Sequence, residues 1–278
     1  MAVLLGILVA AGYGSGDFLG GIASRRAATL AVLSVSQIVA VVCAAVIALV
    51  AGGHVYGGDL AFGAVAGVLN VAAIGCLYRG LAIGRMGQVA PLAEVIGSVI
   101  PVIWGLARGE RPGVPALCGI GLAIVAAGLL SSDRDEKHGS LGGQALLLAI
   151  GAGIGFGVSL ILFAAASHHA GFWPVASSKV AALVAVWGVL LATRGARIVA
   201  EVPKPPVGLA GLLEVSASTV LLLALRHYPT AIVAPLAALA PGFTSFHAWW
   251  YLHERTSRIQ MLGLVLALVA LGLIATGS

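Results

Sequence analysis

Charge is the scarcest ingredient of this sequence. Of 278 residues only 25 are charged, 15 Lys or Arg and 10 Asp or Glu, which is 9%. A soluble domain carries about 25%. A soluble chain of this size could not cover its surface with so few charges. Cysteine is nearly absent: Cys43, Cys76 and Cys118 all lie in apolar runs without CxxC or metal spacing, and read as small hydrophobes. There is no run of Lys or Arg, so the net charge of +5 is no nucleic-acid footprint. No GxxxxGK[ST] loop exists to hold ATP. His253-Glu254 lacks the second His of HExxH, because position 257 is Ser257. His168-His169 has no nearby partner ligand and reads as an interfacial loop pair rather than a metal site. Soluble enzymes, nucleic-acid binders and disordered chains are thereby excluded, and no cofactor is expected.

What the sequence has in abundance is apolar length. It is 60% hydrophobic, with a mean hydropathy of +1.08. Arg outnumbers Lys 12 to 3 and Ala, Gly and Val dominate, the pattern of a GC-rich bacterial coding sequence. Runs long enough to be membrane helices occur at about 2–23, 27–51, 60–83, 89–106, 114–130, 142–167, 172–192, 207–225, 230–252 and 259–276. The first begins at Ala2 with no basic segment before it, so it reads as a span rather than a cleaved leader. Ten spans leave room only for short loops. The longest hydrophilic break is Ser131–Ser140, at the midpoint, and a second runs from Thr193 to Pro206. The runs are continuously apolar, whereas barrel strands alternate. Their many glycines suit close helix packing; a dinucleotide loop would need a preceding strand, and there is none. The expected fold is an all-α integral membrane protein.

The chain also repeats itself. Val89-Ala-Pro-Leu-Ala matches Val233-Ala-Pro-Leu-Ala at a shift of 144 residues. Without gaps, Glu110-Arg111 then falls on Glu254-Arg255, Gly119 on Gly263 and Gly128 on Gly272. Upstream, Gly67-Val-Leu-Asn70 falls on Gly211-Leu-Leu-Glu214. A shift of 143 aligns the first spans, bringing Ala23-Ser24-Arg25-Arg26 onto Ala166-Ser167-His168-His169. The expected organisation is two five-helix repeats, 1–131 and 142–278, joined by 132–141. Five is odd, so the second repeat enters the membrane from the opposite side. Inverted repeats mark secondary transporters, whose substrate site lies near the midplane where the halves meet.

On these residues the chain resembles the drug/metabolite transporter superfamily, in its ten-helix EamA-type branch. The resemblance rests on Tyr78-Arg-Gly-Leu81, Val89-Ala-Pro91, Pro101, Gly109-Glu110, Gly119 and Gly128. In the second half it rests on Ala234-Pro235, Pro241, Glu254 and Gly272. One departure is His253-Glu254, where the family usually has Gly-Glu. The resemblance implies a plasma-membrane exporter or exchanger of amino acids, metabolites, drugs or sugar phosphates, and selects none of them. The alternative class is a membrane scaffold or lipid-handling component with no solute turnover.

Ionisable residues inside spans are costly and mark function by default. Here they are Asp17, Arg79, Glu94, Lys179, Glu214 and His247. Call the face holding both termini A and the other B. Counting along each span at 1.5 Å per residue puts all but Lys179 roughly 6–11 Å below face B. Lys179 stands by itself, about seven residues from face A. The five are expected to line a polar cavity, with Arg79 pairing with Asp17 or Glu94. A carboxyl group in low dielectric favours its neutral form, which suits a proton carrier in exchange. Arg79 has the alternative of snorkelling, as has Lys179, and His247 that of a hydrogen-bonded packing residue. Glu110 and Glu254, beside Arg111 and Arg255 at span ends, read as loop-fixing residues.

Asn70 falls opposite Glu214 in the repeat and is a hydrogen-bonding candidate. Tyr13, Trp104, Phe156 and Trp187 are candidate cavity aromatics, while Trp173, Trp249 and Trp250 read as interface anchors. Pro91, Pro101, Pro235 and Pro241 free backbone carbonyls, so they are candidates for hinges or for simple kinks. Expected partners are a small-molecule substrate, the bilayer and a proton, with no nucleic acid and no ATP. Face-B loops carry ten cations and face-A loops three. By the positive-inside rule B is cytoplasmic and both termini lie outside; the resemblance implies the reverse. A tag at residue 1 or 278 that is reached only from outside the cell supports the charge count, and one reached only from the cytoplasm supports the resemblance.

Overall fold

A computed structural model describes residues 2–107, 113–131, 142–165, 170–193, 195–227, 239–253 and 258–276. The described residues are helical, with no strand among them. The helices are α1 (Ala2–Arg26), α2 (Thr29–Ala51), α3 (Gly57–Ile83), α4 (Met86–Ala107) and α5 (Val114–Ser131). There follow α6 (Gly143–Ala164), α7 (Trp173–Ala192), α8 (Lys204–His227), α9 (Ala240–Leu252) and α10 (Arg258–Thr276), with a 3-10 turn at Gly195–Glu201. Six of them, α1, α2, α3, α6, α7 and α8, are long and apolar enough to cross a membrane. The chain is an integral membrane protein. Large apolar side chains stand outward, among them Leu49 (69% exposed), Val50 (84%) and Leu147 (70%). Such a surface is an aggregation liability in water and a lipid-facing one in a bilayer.

The helix ends explain where expectation and structure part. Proline is tolerated in a first helical turn because its missing N–H has no intrahelical partner there. Pro205 and Pro206 therefore belong to the first turn of α8, which begins at Lys204 rather than at the expected Val207. Pro241 likewise sits in the first turn of α9, so it is not a bend inside the described helix. The expected ninth span, 230–252, begins with residues 230–238, which lie outside the described residues, and Pro235 with them. Helix α9 ends on His253, whose φ of 53° is left-handed. Its N–H donates to the Ala248 carbonyl. That conformation comes freely to glycine but not to a residue with a Cβ, which accounts physically for the glycine expected at this position.

The two halves are interleaved. Helix α1 packs on α8 and α9, and α6 packs on α3 and α4. Helix α2 packs on α7 and α8, and α3 on α7. Helix α5 packs on α10, and α4 on α9. Numbering each second-half helix five above its counterpart, these pairings map onto one another when the halves are exchanged. The small-residue contacts repeat as well. A methyl group on Gly12 would come 3.0 Å from Ala217 Cβ and 3.3 Å from the Leu213 oxygen. One on Gly155 would come 2.7 Å from Ala73 Cβ and 3.3 Å from the Leu69 oxygen. Gly211 lies so close to the Ser36 backbone, and Gly67 to the Ser178 backbone, that a Cβ on either would overlap the carbonyl.

Gly211→Val is expected to destabilise the protein by about 1–3 kcal/mol or more, since the clash is with backbone. Gly57→Ala, with open space around it, is expected to stay within about 0.5 kcal/mol of the parent. His253→Gly is expected to stabilise by about 1 kcal/mol. Thermal denaturation of the detergent-solubilised chain measures all three.

Candidate functional site

The close approach of Gly211 to Ser36 brings α8 against α2. Three residues on, Glu214 then meets Gln37, whose Nε2 donates to Glu214 Oε2 at 3.0 Å. Glu214 Oε1 is paired with the Lys179 ammonium from α7. The three are deeply buried, with exposures of 1% for Gln37, 2% for Lys179 and 5% for Glu214. One turn along α8, the Ser218 hydroxyl donates to the Glu214 carbonyl at 2.9 Å. It also accepts a 3.0 Å bond from the Tyr13 hydroxyl of α1. Asp17, one turn beyond Tyr13, lies within electrostatic reach of both Glu94 on α4 and Glu214. Tyr13 is within reach of all three carboxylates. Among the described residues neither Asp17 nor Glu94 has a cation partner.

The structure thus places Asp17 within electrostatic reach of Glu94 and Glu214 and corrects two other placements. Lys179 does not stand by itself near face A; it pairs with Glu214. The extra turn of α8 before Val207 moves Glu214 deeper, to the eleventh residue of the helix and so about 15 Å in, within reach of a lysine from the other side. Arg79 does not pair with Asp17 or Glu94. Its neighbour Tyr78 is the inward residue of α3, its ring against Gly20 and its hydroxyl donating to the Gly16 carbonyl at 3.5 Å. A residue one step on lies about 100° round the helix, and Arg79 is exposed, as a snorkelling side chain near a helix end would be.

His247 is half-buried. Its Nδ1 lies 2.6 Å from the Phe243 carbonyl; a carbonyl only accepts, so the Nδ1–H donates. The ring turns to Phe18 (5.3 Å) and Phe246 (5.8 Å) rather than to a carboxylate. Asn70 is half-buried on α3, three residues past Gly67. Of the expected wall aromatics, Tyr13 is at the cluster. Phe156 packs against both of the larger apolar cores, Trp187 is half-buried and Trp104 is 49% exposed. Trp249 and Trp250 are exposed at 54% and 61%, in keeping with interface anchors, while Trp173 is half-buried against the core around Ala44 and Val175. Pro91 is buried inside α4; Pro101 is helical in α4.

Gln37 and Ser218 escape a search of the sequence for ionisable groups, since neither titrates. The available signal is a single amide, Gln37, followed by the apolar Ile38–Leu49 stretch of α2.

A bundle of apolar helices enclosing a buried ionic cluster defines a polytopic membrane protein with a polar interior. Residues 143–276 match the EamA-like transporter family, so the second half carries a domain of that family. Such a domain suggests a membrane transporter of small solutes, with the bilayer as its setting. No curated protein matches the sequence. A solved structure titled "Crystal structure of protein" aligns over 99% of this chain and 98% of its own, with a TM-score of 0.53 and 16% identity; it is similar in fold alone.

A buried ion pair gains little net stability when intact, but loss of one partner strands the other charge. Lys179→Met is therefore expected to destabilise by about 3–5 kcal/mol, and Lys179→Met with Glu214→Leu to recover most of that loss. Chemical denaturation of the purified variants measures the difference.

Proposed function

We propose that the chain is a secondary transporter that exports or exchanges a small organic solute, such as an amino acid, metabolite or drug. It works across a bacterial plasma membrane by alternating access between two inverted five-helix repeats, 1–131 and 142–278, linked by 132–141. The observation that carries this reading is the duplicated packing between the halves. The Gly12 contact with α8 recurs as the Gly155 contact with α3, and the Gly211 contact with α2 recurs as the Gly67 contact with α7. In inverted-repeat transporters one repeat rocks against the other about a site between them, and halves that meet through matching contacts can make that movement toward either side.

Helix direction supports inversion. Arg25, at the end of α1, donates to the carbonyls of Leu81 and Gly84 at the end of α3, so these two helices end at one face. Helix α8, the counterpart of α3, ends at the other: its Arg226 donates to the Gly171 carbonyl, and Gly171 abuts Gly52 at the end of α2. With 22, 18 and 19 residues, α4, α5 and α10 also have the length to span, which brings the spans to nine, with α9 as the proposed tenth.

Asp17 and Glu94 are the proposed proton carriers. They are carboxylates inside apolar helices with no cation partner among the described residues, and ionisable groups in such positions mark proton relays. Proton and solute then alternate on one acidic cluster, and the absence of an ATP loop leaves a gradient as the energy source.

In vesicles containing the purified protein, solute uptake driven by a pH gradient is expected, and is expected to fall to background in Asp17→Asn and in Glu94→Gln. Uptake unchanged in both variants contradicts the role given to the cluster. Absence of any transported solute turns the reading toward a scaffold or lipid-handling protein.

A further inference from the structure

Glu214 is engaged on both oxygens, by the Lys179 ammonium on one and by the Gln37 amide on the other. Gln37 has Nε2 on the carboxylate, the orientation a carboxylate requires because it can only accept. This leaves Gln37 Oε1 buried without a hydrogen-bond partner. An orphaned buried acceptor is costly, and here it stands beside a carboxylate. Together they form a receptor for an N–H-bearing cation. In this structure the cation is tethered: it is the end of the Lys179 side chain.

The duplicated packing gives that tether a second polar neighbour in sequence register. Gly211 sits on the Ser36 backbone, so Glu214, three residues on, meets the next residue of α2, Gln37. Gly67 sits on the Ser178 backbone in the same way. Three residues past Gly67 is Asn70, and the next residue of α7 is Lys179. The repeat thus makes Asn70 the counterpart of Glu214, and Lys179 the counterpart of Gln37. Lys179 reaches across to Glu214 instead of resting with the neighbour that the repeat gives it. Asn70 offers a neutral carbonyl acceptor where Glu214 offers a charged one.

We propose that Glu214 and Gln37 form the binding site for the ammonium group of a transported solute, and that Lys179 is a tethered stand-in that occupies the site until it swings to Asn70. This rests on the transporter reading and names its substrate class: a small organic cation carrying a primary ammonium group. The exchange of one ammonium for another keeps the Glu214 charge neutralised in the membrane at every step. An internal cation that holds the site most of the time lowers the apparent affinity of a free one in proportion.

The test uses the full purified chain in detergent with methyl- to butylammonium chloride as probes. Sodium chloride at the same ionic strength and the matching alcohols serve as controls, and binding is read by calorimetry and by thermal shift. The wild type is expected to bind an alkylammonium, and Lys179→Ala to bind it about tenfold more tightly or better. Glu214→Gln is expected to bind none. Asn70→Leu is expected to weaken binding in the wild type, and this effect is expected to vanish in the Lys179→Ala background. If Lys179→Ala does not fold without amine, the comparison of wild type, Glu214→Gln and Asn70→Leu still decides. Binding by Glu214→Gln equal to wild type overturns the proposal, as does Lys179→Ala binding no more tightly than wild type, or Asn70→Leu acting alike in both backgrounds. A neutral or anionic solute that binds through Asp17 and Glu94, with no alkylammonium bound, overturns it while leaving the transporter reading in place.

Discussion

An ionised group inside a bilayer needs a partner, because neither lipid tails nor bulk water will solvate it. The pairing of Lys179 with Glu214 answers that need, and much of the interior is arranged around it. The carboxylate takes a lysine from α7 and an amide from α2. The turn of α8 that carries it is tied through Ser218 to Tyr13 on α1. Four helices therefore converge on one charge. Such a pair stabilises little by itself. Its presence in a chain with so few charges argues that it is kept for what it does rather than for what it holds together.

Glycine makes this convergence possible. Where Gly211 meets Ser36 and Gly67 meets Ser178, the helices approach to backbone contact. Short interaxial distances let a modest side chain such as Gln37 reach a carboxylate on another helix. The same contact, made once by α8 on α2 and once by α3 on α7, links the architecture to the proposed mechanism. It places chemically different residues, Glu214 and Asn70, in equivalent settings on either side of α2 and α7. Symmetry in packing combined with asymmetry in charge is what a two-state carrier needs: two arrangements of similar packing energy that differ in where a cation rests.

Much of the fold is legible in the sequence because the bilayer leaves the chain few options. Apolar runs of spanning length read as helices, and α2, α3 and α7 begin and end within three residues of the expected bounds. That Asp17, Glu94 and Glu214 lie inside helices is legible too, because carboxylates in such runs stand out. The partner of Glu214 is not. A span that starts after Pro206 holds Glu214 near face B, whereas the helix starts at Lys204, and that single turn decides whether Lys179 is expected to reach. The direction of Arg79 is equally hidden, since a one-residue step past Tyr78 turns it outward. Gln37 carries no charge and so gives no signal until its neighbour is known.

The chain has three lysines, Lys137, Lys179 and Lys204, of which Lys179 is buried inside a span. Solid-state NMR of the reconstituted protein, with lysine Nζ and glutamate side-chain carboxyl carbons isotopically labelled, can therefore follow this one ammonium. A short-range dipolar coupling between the Lys179 nitrogen and the Glu214 carboxyl is expected in the free protein, and its loss is expected when an alkylammonium saturates the site. A coupling absent from the free protein, or one that persists undiminished with the amine bound, contradicts the shared use of Glu214 by Lys179 and solute.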